Sequence, residues 1–340
     1  MKPVKPDLIV RSEEPLNIEG RAELLMGQET PIEHFLQRSH GPVPDVDLAS
    51  WRLRLEGLVS APLALDHAEV VSLPAETRRL VLECAGNGRR FFDPPTPGLA
   101  WGRAAVGQAR WTGTRLDALL DRAGLAGGAA HVVFHGLGLA QAGKPVFVRS
   151  LPVADVRARG VLLAWAMNGE ALTPPHGFPL RVVVPGWTGQ HWMKWLTRID
   201  VTATEASGFY MRDEYCLDGA MIRGPRAKAL ISSPADGTPL RDRVVRASGI
   251  AWAGELEVTR VEVSVDGGAS WHDAQLAAYG GRGAWRRWEL DLDVPAGVSG
   301  ALTVLARATD DRGRTQPAQG VWNPQGNLWD GWDRATLTLP

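Results

Sequence analysis

The sequence has little of what marks several specialised classes of protein. It contains only two cysteines, Cys84 and Cys216, among 340 residues. They lie too far apart for a CxxC metal motif, and nothing in the sequence supports a disulfide between them. No apolar run is long enough to cross a bilayer. The net charge of -1 gives no electrostatic reason to bind nucleic acid or an anionic membrane. We therefore expect neither as a partner.

The amino terminus also lacks the hydrophobic core of a signal peptide, and no twin arginine precedes an apolar run. Two widely spaced cysteines fit a reducing compartment. We therefore expect a cytoplasmic protein. A periplasmic location would follow if an export signal had been removed from this chain.

The length of the chain and a change in its hydrophobic patterning predict two domains. A chain of 340 residues exceeds what one hydrophobic core usually holds. Before residue 226, strand-like segments such as 80–83 are mixed with helical spacing at 114–123. Later segments alternate apolar and polar residues, end at Gly, Pro or Asp turns, and show no helical periodicity. We predict an α+β protein, with a mixed α+β domain over 1–226 and an Ig-like β-sandwich over 227–340.

The segment around Cys84 is the first candidate site. In Leu80–Arg90 (LVLECAGNGRR) an apolar strand brings one cysteine to a turn of small residues, and two arginines follow. A thiolate is the reactive form of cysteine, and nearby guanidinium groups favour it. A lone cysteine after a strand is most often a small buried hydrophobe. Paired arginines are costly in a core, however, so we favour Cys84 as the ligand of a soft metal.

The second candidate site comprises two loops that flank the strand 180–184. The loops carry His176, Arg181 and Lys194 among glycines and tryptophans. Such cations and backbone N–H groups can hold a phosphate together. The alternative is a pair of solvated surface loops, which the density of Trp and Gly disfavours. Neither loop matches a Walker A or GxGxxG motif, so an ordinary nucleotide is not indicated.

Scattered arginines form a third, weaker signal. Each is most simply a solvated surface residue. Planar guanidinium groups nonetheless bind small oxyanions bidentately. Our hypothesis is that Arg38, which lies beside His40, and Arg90, which lies near Cys84, bind one such anion together.

The Cys84 motif resembles that of the sulfite oxidase family, which is related to the molybdenum domain of plant nitrate reductase. The similarity covers nearly the whole chain from about residue 30. The other similar segments are 38–44, 167–169, 176–186, 194–196 and 263–271. The resemblance implies a molybdopterin-binding domain of the sulfite oxidase fold, followed by a dimerisation β-sandwich.

The resemblance also implies a cofactor and a set of site residues. The cofactor would be molybdenum on one molybdopterin, a pyranopterin dithiolene, with Cys84 as the only protein ligand of the metal. The residues implied to hold the pterin and its phosphate are Arg38, His40, His176, Arg181 and Lys194. The residues implied around the substrate are Arg38, Arg90, Trp101, Tyr215 and Arg334.

The implied reaction is oxidation of sulfite, or another small sulfur oxyanion, to sulfate by oxygen-atom transfer in a homodimer. The chain has no CxxCH haem attachment motif, so we expect no haem here and a separate cytochrome c-like acceptor.

Three positions depart from the family pattern: Gly88 is extra relative to the animal enzymes, Pro97 replaces a pocket lysine, and Gly138 replaces a pterin-pocket aspartate. Pro97 keeps other chemistry open, namely S- or N-oxide reduction or dehydrogenation of carrier-bound sulfane. A non-catalytic anion- or protein-binding module is the third alternative.

Overall fold

The computed structural model describes residues 8–138 and 143–339, which form 22 strands and four α-helices. Fourteen strands and all four helices precede residue 226. The strands are β1 (Ile9–Glu13), β2 (Leu16–Glu19), β3 (Leu53–Gly57), β4 (Leu63–Leu65), β5 (Ala75–Glu83), β6 (Val106–Arg115), β7 (His131–Gly136), β8 (Val148–Pro152), β9 (Leu162–Met167), β10 (Glu170–Ala171), β11 (Arg181–Val183), β12 (Leu196–Thr202), β13 (Cys216–Leu217) and β14 (Ala220–Met221). The helices are α1 (His67–Ser72), α2 (Leu116–Ala123), α3 (Val153–Arg159) and α4 (Phe209–Arg212). No described helix has the length and apolar character to cross a membrane.

Two five-stranded sheets carry the first domain. One has the order β10-β9-β6-β5, with β11 also paired to β9, and the other has the order β4-β3-β12-β7-β8. Their apolar faces share one core that includes the fully buried Trp111. The predicted helix at 114–123 is confirmed as α2, which buries Leu116, Leu119 and Leu120 and ends at Gly124 with φ of 66°.

The amino-terminal arm of the chain is an ordered hairpin followed by one helical turn. β1 and β2 form an antiparallel hairpin, and a single 3-10 turn spans Ala22–Leu24. The buried Glu19 carboxylate explains the order, because it accepts hydrogen bonds from the Gly102 and Ala104 N–H groups at 2.7 and 2.9 Å and pairs with Arg11 at 2.7 Å. The arm is therefore docked on the first domain.

The second domain is the predicted antiparallel β-sandwich. Its strands are β15 (Lys228–Ser233), β16 (Val244–Trp252), β17 (Val258–Ser264), β18 (His272–Asp273), β19 (Gln275–Leu276), β20 (Arg286–Asp293), β21 (Ala301–Asp310) and β22 (Asp333–Thr338). They form two four-stranded sheets, β15-β16-β20-β19 and β18-β17-β21-β22, around an apolar core. The domain boundary that we propose at 226/227 falls between β14 and β15.

A buried polar network joins the two domains directly behind Cys84. The Glu83 carboxylate pairs with Lys228 Nζ of β15 at 2.5 Å and accepts a hydrogen bond from Trp252 Nε1 at 2.7 Å. Asn87 Nδ2 donates to the same carboxylate at 2.9 Å. The end of β5 is therefore held from the sandwich side.

Candidate active site

A deep pocket opens where the two sheets of the first domain meet. Its empty volume is about 960 Å³, including the opening to solvent. Cys84 follows β5, Arg181 lies in β11, and Lys194 precedes β12, so both sheets contribute. Seven of the ten predicted site residues line this pocket, namely Arg38, His40, Cys84, His176, Arg181, Lys194 and Tyr215. Segments far apart in sequence thus meet as the family resemblance implies.

Cys84 is held at this pocket by its backbone. Its N–H donates to Ala105 O at 3.0 Å, and Asn87 N–H donates back to Cys84 O at 2.9 Å. Gly88 has φ of 86°, and a side chain there would collide with Trp329. Burial raises the pKa of the Cys84 thiol, and the Arg38 and Arg89 charges oppose that rise. One fixed thiol therefore faces the pocket.

Two cations, the buried Arg181 and the half-buried Lys194, line the pocket. Arg181 donates to His176 O at 2.9 Å and Trp192 O at 3.2 Å, and its guanidinium lies over the Trp111 ring at 4.8 Å. Lys194 Nζ donates to Ser39 Oγ at 2.8 Å and Pro175 O at 2.9 Å. Burial lowers the pKa of Arg181 to about 9 and lowers that of Lys194 well below its ordinary value.

Further polar atoms beside these cations lack partners. His176 Nδ1 is hydrogen-bonded to Thr173 Oγ1 at 2.8 Å, whereas its buried Nε2 has no partner. The same holds for Arg181 Nε and Gln190 Oε1. Trp195 adopts φ of 54°, which is unusual for a bulky residue, at the same wall. Buried polar atoms are normally satisfied, so this wall is shaped for a polar ligand.

Arg38, His40 and Tyr215 form a connected group in the lining of the pocket. His40 Nδ1 lies 3.2 Å from Arg38 Nη2, and His40 Nε2 lies 3.2 Å from the Tyr215 hydroxyl. Burial is the main cause that lowers the pKa of His40 to about 2 and raises that of Tyr215 to about 12. Near neutral pH the imidazole is therefore neutral and the phenol is protonated.

Three predicted residues lie elsewhere. Arg90 and Arg334 line a second cavity, whose walls come from both domains. Trp101 is fully buried in the core of the first domain and does not line the Cys84 pocket. Arg90 follows Arg89 in a 3-10 turn over Arg89–Phe91, and about three residues per turn direct successive side chains to different sides.

Arg89, which the sequence leaves without a role, is the arginine of that motif directed toward Cys84. A side chain on Gly86 would meet its guanidinium at 2.8 Å, and its charge acts on both the Cys84 thiol and the Tyr215 hydroxyl. Its spacing of five residues after Cys84 on a tight turn is the signal that could have separated it from Arg90.

Arg149 is a second residue that the sequence does not single out. This fully buried arginine of β8 donates to Tyr210 O, lies 3.4 Å from His191 Nδ1 and stands 5.8 Å from the Tyr215 ring centre. Among the described residues it has no carboxylate partner. The strand segment VRSLP gives no hint of this, because a charged residue in an alternating strand normally faces solvent.

The donor set fits an anionic cofactor that brings its own metal ligands. The described residues that line the pocket include no Asp or Glu, yet they include Arg38, Arg181 and Lys194. In the described ranges no group of three or more His, Cys, Asp or Glu is placed to hold a metal ion. A metal bound through Cys84 thus needs other ligands, and the cations of the pocket, above all the buried Arg181, need negative charge. A dithiolene cofactor with a phosphate meets both conditions.

Comparisons with known proteins agree with this geometry. Residues 40–210 match the family model described as "oxidoreductase molybdopterin binding domain", and residues 220–339 match "Mo-co oxidoreductase dimerisation domain". Sulfite oxidase of Gallus gallus is 37% identical over 98% of this chain and 78% of its own length. Sulfite oxidase of Arabidopsis thaliana is 33% identical over 99% of this chain and 95% of its own length. The chain spans 65% of the mitochondrial sulfite oxidase of Homo sapiens.

A solved structure is similar as well. The sulfane dehydrogenase SoxCD from Paracoccus pantotrophus superimposes with a TM-score of 0.83 at 27% identity, covering 96% of this chain and 85% of that one. Fold, pocket and sequence therefore define a molybdopterin-dependent oxidoreductase. More specifically, the chain belongs to the sulfite oxidase family, and its cofactor is the molybdenum cofactor.

Proposed function

We propose that this enzyme oxidises sulfite to sulfate and passes the electrons to a separate protein acceptor. The supporting observation is the set of cations that line the pocket around a single fixed thiol, without carboxylate partners among the described residues. The balanced reaction is sulfite plus water giving sulfate, two protons and two electrons. The bound molybdenum cofactor would supply oxygen-atom transfer and the two-electron redox change.

The chain's own residues would hold that cofactor by charge and shape. Cys84 would bind the metal. Arg181 and Lys194 would pair with the phosphate, and the unpartnered Nε2 of His176 would face the pterin. Binding an anion there would favour the charged form of Lys194, whose pKa is depressed mainly by burial, with Arg181 and Arg38 contributing.

Arg38, Arg89 and Tyr215 would position the substrate. Two guanidinium groups can hold a dianion and stabilise the charge that develops on its oxygens. The Tyr215 hydroxyl stays protonated because burial raises its pKa, so it can donate its one hydrogen bond to the substrate when neutral His40 donates from Nε2 to the phenol oxygen. Arg90 and Arg334, whose predicted role was the same, line the other cavity and are not part of this proposal.

The partners belong to the proposal too. Because sulfite oxidation releases two electrons and the dimerisation domain is present, we infer a homodimer that transfers electrons one at a time to a cytochrome c-like acceptor.

The test is steady-state kinetics of protein loaded with molybdenum, with sulfite as donor and cytochrome c or ferricyanide as acceptor. We expect sulfite-dependent reduction in a ratio of two electrons per sulfate formed. Molybdenum-loaded protein that reduces neither acceptor with sulfite would contradict the proposed reaction.

A second candidate is dehydrogenation of sulfane sulfur carried on a partner. The similarity to the sulfane dehydrogenase structure favours it, and so does exposed Pro97 at the position of the family's lysine. A pocket with one cation fewer should hold free sulfite less tightly. A persulfidated peptide that outcompetes sulfite as electron donor would favour this candidate.

A further inference from the structure

The loop 323–328 of the sandwich domain lies against the active site, and we name it the clasp loop. It falls between β21 and β22, far in sequence from the residues that line the pocket. Within it, Asn323 and Asn327 are both buried, and Asn323 Nδ2 donates to Asn327 O at 2.7 Å. Asn323 Oδ1 accepts from Asn327 N–H at 3.1 Å. The loop is thus closed on itself by one amide side chain.

The clasp loop holds the Arg89 guanidinium. Arg89 Nη2 donates to Asn327 Oδ1 at 2.8 Å, and Arg89 Nε donates to Gly326 O at 3.0 Å. A Cβ on Gly326 would collide with Thr96 Oγ1 and lie 2.9 Å from Arg89 Cγ, so only glycine allows this approach. Arg89 has no carboxylate partner among the described residues, so these neutral acceptors fix its direction without cancelling its charge.

The same loop also contacts the backbone beside two other site residues. Leu328 N–H donates to Ala85 O, next to Cys84, at 2.8 Å, and Leu328 adopts φ of 55°. Gln325 Nε2 donates to Asp213 O, and Asn327 Nδ2 lies 3.5 Å from Glu214 O, next to Tyr215. A strained backbone at a ligand clamp is a recognised way to pre-organise a site.

We propose that Asn327 is a positioning residue for substrate, acting through Arg89, so that the sandwich domain completes the active site as well as supporting dimerisation. The inference deepens the proposed function and rests on it. A neutral amide suits this role because it directs a guanidinium toward an anion and leaves its full charge available. A carboxylate in its place would compete with the anion for Arg89.

The test is a double-mutant cycle of Asn327→Ala and Arg89→Gln, measured on molybdenum-loaded enzyme with sulfite and on cofactor-free protein with sulfate by calorimetry. We expect Asn327→Ala to raise KM for sulfite about tenfold, with a smaller change in kcat, and to weaken sulfate binding similarly. In the Arg89→Gln background the same substitution should change either quantity by less than about twofold.

Asn323→Ala is the matched control, because it removes an amide from the same loop without contact to Arg89. Its effect on KM should be smaller than that of Asn327→Ala. Equal effects of the two single substitutions, or an undiminished effect of Asn327→Ala in the Arg89→Gln background, would overturn the inference.

If Asn327→Ala does not fold, Asn327→Asp keeps the acceptor oxygen and adds a negative charge beside Arg89. It should weaken sulfate binding, and unchanged binding would overturn the inference. Sulfate binding separates the two proposals. If wild-type enzyme does not oxidise sulfite but sulfate binding follows the cycle, the proposed reaction fails and the positioning role is supported.

Discussion

Buried charge is partnered in the β-sandwich and unpartnered around the Cys84 pocket. In the sandwich the buried Glu262 carboxylate pairs with Arg307 at 2.9 Å, and the buried Asp310 pairs with Arg314 at 2.8 Å. Around the pocket, the buried Arg181 and the half-buried Lys194 have only carbonyl groups and one hydroxyl as hydrogen-bond acceptors, with tryptophan rings beside them. An uncompensated buried cation destabilises a fold unless a ligand supplies the opposite charge. The contrast indicates that the first domain is complete only with its anionic cofactor.

The two cysteines give the largest expected contrast. Cys84→Ala should abolish molybdenum retention and lower sulfite oxidation by about a thousandfold or more, because no other described side chain of the pocket can supply a thiolate. Cys216→Ala is the matched control, since its thiol donates to Met211 O at 3.0 Å and does not line the pocket. Metal analysis and circular dichroism of both variants check this. Molybdenum retained in Cys84→Ala would contradict the ligand role.

The partnered lysine behind the pocket should behave as a structural residue. Lys228→Met leaves the Glu83 carboxylate buried without its cation, so we expect a loss of about 3–5 kcal/mol in the free energy of unfolding. Urea denaturation of cofactor-free protein measures this. A change below about 1 kcal/mol would show that Glu83 is satisfied by Asn87 and Trp252 alone.

The free energy of unfolding should decrease at acid pH because two histidines of the pocket are held neutral in the folded state. Burial lowers the pKa of His40 from 6.5 to about 2 and that of His176 from 6.5 to about 3. The folded state therefore binds fewer protons than the unfolded state below pH 6.5, and stability falls as the pH decreases from 6.5 toward these values.

His40→Gln should flatten this fall, by up to about 1.4 kcal/mol for each pH unit below 6.5. Urea unfolding of cofactor-free protein at pH 7, 6 and 5 measures it, with exposed His272→Gln as the control. Parallel curves for wild type and His40→Gln would contradict the assignment.

Much of this organisation is readable from sequence, because strands and turns are coded locally. The end of β5 at Cys84, helix α2 and the alternating strands of the sandwich follow from apolar periodicity and from Gly or Pro signals. The assembly of the site cannot be predicted in the same way, because Arg38, His176 and Lys194 are brought together only by the packing of two sheets. For these residues the prediction depended on the family resemblance and not on their own pattern.

The positions of Arg90 and Trp101 outside the lining of the Cys84 pocket have physical causes as well. Arg89 and Arg90 are adjacent residues of the same type, so the sequence does not distinguish them. Only the 3-10 turn that contains them decides which side chain is directed toward Cys84. Trp101 belongs to the core because an indole of that size next to a strand is buried by the fold regardless of function. The contact of the clasp loop with Arg89 spans 238 residues of sequence, which no local signal encodes.

The most direct test of the account is the stability of cofactor-free Lys194→Met protein. Because the half-buried Lys194 has no carboxylate partner among the described residues, its replacement by an apolar side chain of similar length should raise the free energy of unfolding by about 1–3 kcal/mol, while molybdenum retention falls. Urea denaturation of both variants gives the comparison, because Lys228→Met should lower the free energy of unfolding and Lys194→Met should raise it. A loss of stability in both variants would contradict the claim that the pocket's positive charge is reserved for a bound anion.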